Sequence, residues 1–242
     1  MDAIPPPARR RPRLGETLAE FRALAFQRPA YPRAALLEAA PRGDGHAVLV
    51  LPALLTSDAA TRRVRDFLAA LGYAAEGWGL GIDWGPTPRL MAGARARLGE
   101  LAARHGQVSL LGYSMGGLFA RWLAQQEPGA VRQVISVCAP LREPLRHFFL
   151  PPGPLVRLWR GVDIHALAAE VARPLPVPGA AIYSRNDGIV HWTSCLDPAL
   201  PAARQRAIAG AHMLIMADPA VMALVAELLA PAEALQPMHD PS

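Results

Sequence analysis

The sequence predicts an α/β protein, a mostly parallel sheet covered on both faces by helices. Three observations carry this. Apolar runs of strand length, "HAVLVL" at 46–51, "VSLL" at 108–111 and "VRQVISVC" at 131–138, alternate with segments of helical spacing. These runs are nearly continuous, as strands buried on both faces are. With 242 residues, 52% of them apolar and 19% charged, the chain is long enough for one sizeable core.

Residues 14–40 read as a helix, or as two broken at "RPAYP", with Leu14, Leu18, Phe21, Leu24 and Ala25 on one face. The glycines of "PRGDG" then punctuate the chain, and the first core strand runs up to Pro52. Residues 59–71 place Val64, Phe67, Leu68 and Leu71 at helical spacing, with Asp58 as the expected N-cap. A short strand at 72–76, the Gly/Trp loop "GWGLGIDWGP" and a helix at 87–104 follow. The rhythm then repeats as strand 107–112, helix 117–126 and strand 131–138. Later strands are expected at 179–184 and 206–210, and a closing helix at 219–230.

One interval breaks the pattern. About forty residues separate Cys138 from Gly179, whereas a plain crossover needs roughly a dozen. The apolar residues of segment 141–176 either fill ordinary core or, the reading preferred, make a small cap over the carboxyl edge of the sheet, where open α/β sheets bind ligands. The organisation expected is a leader and helical extension over 1–45 and a single domain over 46–242 that carries the cap.

Composition narrows the partners. The net charge of +5 comes from arginine, because the chain has no lysine. The arginines are scattered and no groove-entering motif accompanies them, so no nucleic-acid partner is expected. No stretch approaches eighteen uncharged apolar residues, which argues against integral membrane association. The proline- and arginine-rich start, "MDAIPPPARRRPRLGE", lacks the apolar core of a secretory signal, and the expected location is the cytoplasm. Cys138 and Cys195 both follow late strands, which leaves open a disulfide or two buried thiols.

The chemistry centres on "GYSMGG". Gly112 and Gly116 flank Ser114 at the point where a strand becomes a helix. A side chain at either flank would collide with the neighbouring strand or the helix start, so the spacing fits a turn built to present a hydroxyl. A serine hydroxyl needs a base, and the base needs an orienting acid. Of the seven histidines, His46 and His105 fall at the opposite edge of the sheet, His165 in the insertion and His239 in the proline-rich tail. His212 follows a late strand-like segment and is the candidate base. Asp187, just past the strand at 179–184, is the candidate acid, ahead of Asp163 and Asp197. The oxyanion hole would use the backbone amide of Met115 and a second amide from "LPALLTSD", that of Ala53 or Leu54. Leu54, Leu55, Met115, Phe148, Phe149 and Trp192 are the apolar residues expected at an acyl pocket. Trp78 and Trp84 divide between packing and lining the entrance. No His/Cys/Glu cluster has metal-ligand spacing, and neither metal nor cofactor is expected.

Over residues 46–230 the chain resembles the α/β-hydrolase superfamily. "GYSMGG" is similar to its nucleophile elbow, Asp187 in "YSRNDGIV" to its acid position, and His212 in "GAH" to its base position. "LPALLTSD", "LGYAAEGWGLGIDWGP" and "VRQVISVCAP" resemble bacterial lipase-like or esterase-like hydrolases. The resemblance implies an α/β-hydrolase fold with a cap and a cofactor-free serine hydrolase acting on a small ester or lipid-like substrate through an acyl-enzyme. The chain departs from the common His-Gly oxyanion loop by carrying Leu51-Pro52-Ala53. The same three residues also serve acyl transfer, and a non-catalytic ligand-binding protein on this scaffold is the alternative from another class.

Overall fold

A computed structural model describes residues 14–26, 31–142, 157 and 159–231. Six strands form one sheet: β1 (Ala47–Leu51), β2 (Ala74–Gly77), β3 (Val108–Tyr113), β4 (Val131–Val137), β5 (Gly179–Ser184) and β6 (Gln205–Ile208). Their order is β2-β1-β3-β4-β5-β6 and every pairing is parallel. All strand ends that precede a crossover therefore lie on one edge. The chain steps outward from β1 to β2 and then returns to the other side of β1. The crevice between β1 and β3 is thus the switch point at which such sheets open towards a ligand.

Helices α3 (Asp58–Leu71) and α7 (Pro219–Leu229) cover one face, and α4 (Pro88–His105) and α5 (Met115–Gln126) the other. Strand residues alternate between the two layers. Val48, Val50, Leu111 and Tyr113 pack with Val64, Phe67 and Val225, whereas Leu49, Leu51 and Leu110 pack with Leu98, Phe119 and Leu123. Both faces need apolar cover, which explains the continuous runs in the sequence.

Helix α4 starts with Thr87 capping and Pro88 in its first turn, and α3 stops at Gly72 with φ 104°. The cap of α3 is Ser57, which accepts from Ala59 N; the expected cap, Asp58, serves elsewhere. Its carboxylate accepts from Trp78 N at 3.1 Å and Gly79 N at 2.9 Å, fastening the start of α3 to the end of β2. Gly72, expected in a strand, belongs to the helix stop, so β2 begins two residues later.

The N-terminal segment is two helices, α1 (Leu14–Phe26) and α2 (Arg33–Ala39). The expected apolar face of α1 does not hold at Leu18, which is 55% exposed. Among its described side chains, Thr17, Glu20 and Ala23 are buried, and Leu14, Phe21, Leu24 and Ala25 of the expected face lie outside them. Between β4 and β5 lies a helix the sequence pattern did not resolve, α6 (Ile164–Val171), capped by Asp163. Among the described residues, no helix is long and apolar enough to cross a membrane.

Candidate active site

Three non-glycine residues have positive φ among the described residues: Leu55 (61°), Ser114 (51°) and Cys138 (49°). Each lies just beyond the carboxyl end of a strand, β1, β3 and β4 respectively. Backbone strain of roughly 1–3 kcal/mol per residue persists only where surrounding structure enforces it. Here that structure is a tight strand–turn–helix. A Cβ on Gly112 would lie 2.3 Å from Gly116 O, and one on Gly116 would lie 2.3 Å from Leu51 O and 2.5 Å from Pro52 O. These are backbone atoms that cannot swing aside, so glycine is required at both positions. With ψ −114°, Ser114 stands outside every common well and immediately precedes α5. Its amide donates to Val137 O at 2.8 Å, which pins the turn to β4.

Asp187 follows β5 and His212 follows β6, at the same edge as Ser114. His212 Nδ1 and Asp187 Oδ2 are 2.6 Å apart. Asp187 Oδ1 accepts from Ile189 N at 2.8 Å and Val190 N at 2.7 Å. One carboxylate oxygen is thus fixed by backbone and the other is turned to the imidazole, and among the described residues no hydrogen bond engages Nε2. Burial alone would lower the His212 pKa. The charge and hydrogen bond of Asp187, with the charge of Glu20, outweigh it and raise the pKa above the ordinary 6.5. Ser114 is half-buried, and among the described residues no hydrogen bond joins its hydroxyl to His212.

The competing acids have other work. Asp163 accepts from the amides of His165 and Ala166 at the start of α6. Asp197 is buried against Arg121 at 2.6 Å. Among the histidines, His46 belongs to a second Ser/His/Asp constellation at the amino edge. Its Nε2 meets Ser109 Oγ at 2.8 Å and its Nδ1 meets Asp44.

In the loop after β1, Leu55 N donates to Asp83 O and Thr56 N to Ala53 O. The amides of Ala53 and Leu54 donate to no acceptor among the described residues. The amide of Met115 is in the first turn of α5, where helices leave N–H groups without an intrahelical acceptor.

Met115 helps to line a narrow apolar cleft. It runs between α5 and α6, lined by Leu118, Phe119, Trp122, Trp159, Ile164, Leu167 and Ala168 among others. Of the expected pocket residues, Met115 lines it. Leu55 and Trp192 do not: Leu55 is 47% exposed, and Trp192 stacks with Tyr183 and with His191 and has Arg185 over its ring. Leu54 packs against the core on the α4–α5 face. Phe148 and Phe149 lie outside the described residues. Trp78 is core, its indole donating to Gly81 O, while Trp84 is 44% exposed. The sequence reading missed the wall of α6, although Ile164, Leu167, Ala168 and Val171 are spaced for one helix face.

Cys138 and Cys195 are both buried free thiols. The Cys138 sulfur, an Asp187 oxygen and a His212 nitrogen lie within 4.8 Å of one another, a three-donor cluster that sequence spacing had not indicated. A metal there would need a thiolate and would compete with the Asp187–His212 bond. Burial, followed by the charge of Asp187, pushes the Cys138 thiol well above its ordinary value and keeps it protonated.

This is the α/β-hydrolase fold: a parallel sheet flanked by helices with an inserted segment between β4 and β5. A family model described as "alpha/beta hydrolase fold" matches residues 97–161, the stretch that contains Ser114. Solved structures agree. The metagenome-derived lipolytic enzymes LipS and LipT match with TM-score 0.56 at 19% identity, over 78% of this chain and 93% of that one. The monoacylglycerol lipase of Paleococcus ferrophilus matches with TM-score 0.55 at 14% identity, over 76% and 95%. A thioesterase domain from the curacin biosynthetic pathway gives 0.54 at 14% identity, over 77% and 91%. At these identities the likeness is one of fold. No curated protein sequence matches the chain.

Proposed function

We propose that this protein is a serine carboxylic-ester hydrolase that forms an acyl-enzyme on Ser114. The observation that carries the reading is the 2.6 Å Asp187–His212 bond at the sheet edge where Ser114 is held on a strained turn. In this reading His212 Nε2 takes the Ser114 proton as the hydroxyl attacks the acyl carbonyl. Asp187 holds the imidazole in the Nδ1–H tautomer and stabilises the imidazolium. The amides of Met115 and of Ala53 or Leu54 meet the developing oxyanion. His212 then protonates the leaving alcohol and activates the water that releases the acid. The cleft that Met115 helps to line would take the acyl chain, with residues 141–176 as a cap whose helix α6 forms one wall.

The position of Cys138 favours a second reading, in which its thiol is the nucleophile. Against it stand complete burial and a thiol held in its protonated form. A fluorophosphonate probe separates the two, because it reacts with an activated serine. Labelling at Ser114, together with turnover of p-nitrophenyl esters that Ser114→Ala abolishes and Cys138→Ala retains, is the expected result. Full turnover in Ser114→Ala would end the serine reading. Product analysis with an added alcohol distinguishes hydrolysis from acyl transfer.

A further inference from the structure

The helix that precedes the sheet reaches into the candidate site. Glu20, on α1, is 2% exposed. Its Oε1 accepts from Gly188 N at 2.7 Å and from His212 N at 2.9 Å, and its Oε2 accepts from Met213 N at 3.0 Å. One turn earlier, Thr17 Oγ1 donates to Gly188 O at 2.9 Å. Gly188 is the neighbour of Asp187, and His212 is the candidate base itself. Three backbone donors from two loops, separated by more than twenty residues, thus converge on a single carboxylate. Only an acceptor-only group with two oxygens satisfies such a set, and bonds to an ionised acceptor are about twice as strong as neutral ones.

We propose that Glu20 is a positioning residue for the acid–base pair, a clamp that sets the backbone of Asp187's loop against that of His212 and places a second negative charge behind the imidazole. The proposal rests on the reading of Ser114, His212 and Asp187 as a triad. The imidazole becomes an imidazolium during acyl transfer, so a charge fixed behind it acts on the reaction as well as on the fold. The groups facing His212 are Asp187 from the β5 loop, Glu20 from α1 and Cys138 from the end of β4. Helices α3 and α7 pack on the 212–217 turn through apolar side chains such as Val64, Leu68 and Val221. Asp218 is engaged in capping Ala220 N.

The test is Glu20→Gln in the full chain. Glutamine keeps an acceptor for Gly188 and His212 but sets an amide donor against Met213 N–H and removes the charge. Two measurements follow: NMR titration of the His212 ring, and the rate of fluorophosphonate labelling against pH. The charge of Glu20 raises the His212 pKa, so its removal lowers it, and neutral imidazole persists to lower pH. The expected result is an acid limb displaced to lower pH, with a plateau rate reduced on the order of tenfold to a hundredfold. Glu20→Asp, which retains the charge, should return the limb towards its wild-type position. A wild-type limb and rate in Glu20→Gln would overturn the proposal. So would a rate loss with an unmoved limb, since that is what a helix that only buttresses the fold would give. If Glu20→Gln does not fold, hydrogen exchange on the wild-type chain decides. Strong protection of the Gly188, His212 and Met213 amides is expected, and exchange as fast as that of exposed loop amides would refute the clamp. Failure of the triad reading shows separately, as undiminished labelling of Ser114→Ala, while the NMR titration still reads the clamp.

Discussion

Replacing Arg121 with methionine should cost this protein much of its stability. Arg121 on α5 is 1% exposed and makes three charge-assisted bonds. It donates to Val171 O at 2.8 Å, to Arg173 O at 2.7 Å and to Asp197 Oδ2 at 2.6 Å. One guanidinium therefore ties α5 to the carboxyl end of α6 and to the segment after residues 192–194. Methionine fills a similar volume but leaves a buried carboxylate without its counter-charge and takes a donor from the carbonyls of Val171 and Arg173, the latter keeping only a long bond from Gln125 Nε2. Breaking one side of a buried pair costs about 3–5 kcal/mol, and 1 kcal/mol shifts Tm by about 2–4 °C at this chain length. The expected fall in Tm is thus roughly 6–20 °C by calorimetry. It should change little with salt, because the pair is shielded from solvent. The double variant Arg121→Met/Asp197→Leu removes both charges and should recover most of the loss. Since α6 walls the cleft, the single variant should also lose more activity on octanoate than on acetate esters. A Tm within about 2 °C of wild type, against the cost worked here, would refute the reasoning.

Two further outcomes are expected. Filling the cleft with Ala168→Phe should spare p-nitrophenyl acetate and reduce kcat/KM for octanoate by about fourfold per excluded methylene, from about 0.8 kcal/mol each; equal losses on both esters would remove the cleft from the acyl site. Asp83 is fully buried with Oδ2 unpartnered, and burial pushes its pKa up to about 7, partly offset by its bond from Gly85 N. The folded chain therefore holds a proton that the unfolded chain, with the ordinary 3.8, has released, so stability falls as pH rises from about 4 to above 7. Asp83→Asn keeps the acceptor for Gly85 N, and its urea midpoint should drop less than that of wild type between pH 5 and pH 8; parallel drops would sink the idea.

What the sequence disclosed follows from the range of each signal. The strands were legible because both faces are buried and their apolar runs are continuous. The strand–turn–helix at Ser114 was legible because Gly112 and Gly116 answer to contacts within a few residues. The placement of Asp187 and His212 beside Ser114's edge was legible because a parallel sheet sends every such strand end to one edge. Helix α1 misled. Its apolar spacing pointed to Leu18, yet the face it buries carries Thr17 and Glu20, whose partners stand about 170 to 190 residues away. No periodicity within thirteen residues encodes that. The Asp58 cap failed for a similar reason: two amides beyond β2 claim its carboxylate, and Ser57 caps instead. Helix α6 was hidden in a segment treated as one insertion, so the wall of the cleft went unread.

The two Ser/His/Asp constellations show why position within the fold, and not the hydrogen-bond chain, decides which is a candidate for catalysis. At the amino edge the chain is complete: Ser109 to His46 at 2.8 Å, His46 to Asp44, and Asp44 to Arg132 at 2.9 Å. Yet Ser109 is fully buried within β3, where its neighbours are strands and its backbone is engaged in the ladder. Burial pulls the His46 pKa down despite its bond to Asp44, so the imidazole is poorly placed to carry charge. At the carboxyl edge the chain has one link, between His212 and Asp187, but the surroundings differ in every respect that acyl chemistry needs. Ser114 is lifted off the sheet by an enforced positive φ, and α5 turns its first amides to the same side. The Ala53 and Leu54 amides follow β1 across the switch point, and Met115, the next residue after Ser114, helps to line an apolar cleft. In the proposed reading a reacting carbonyl sits at that edge. There the missing Ser114–His212 link is the one that a bound ester, by displacing water and ordering the serine rotamer, would be expected to close.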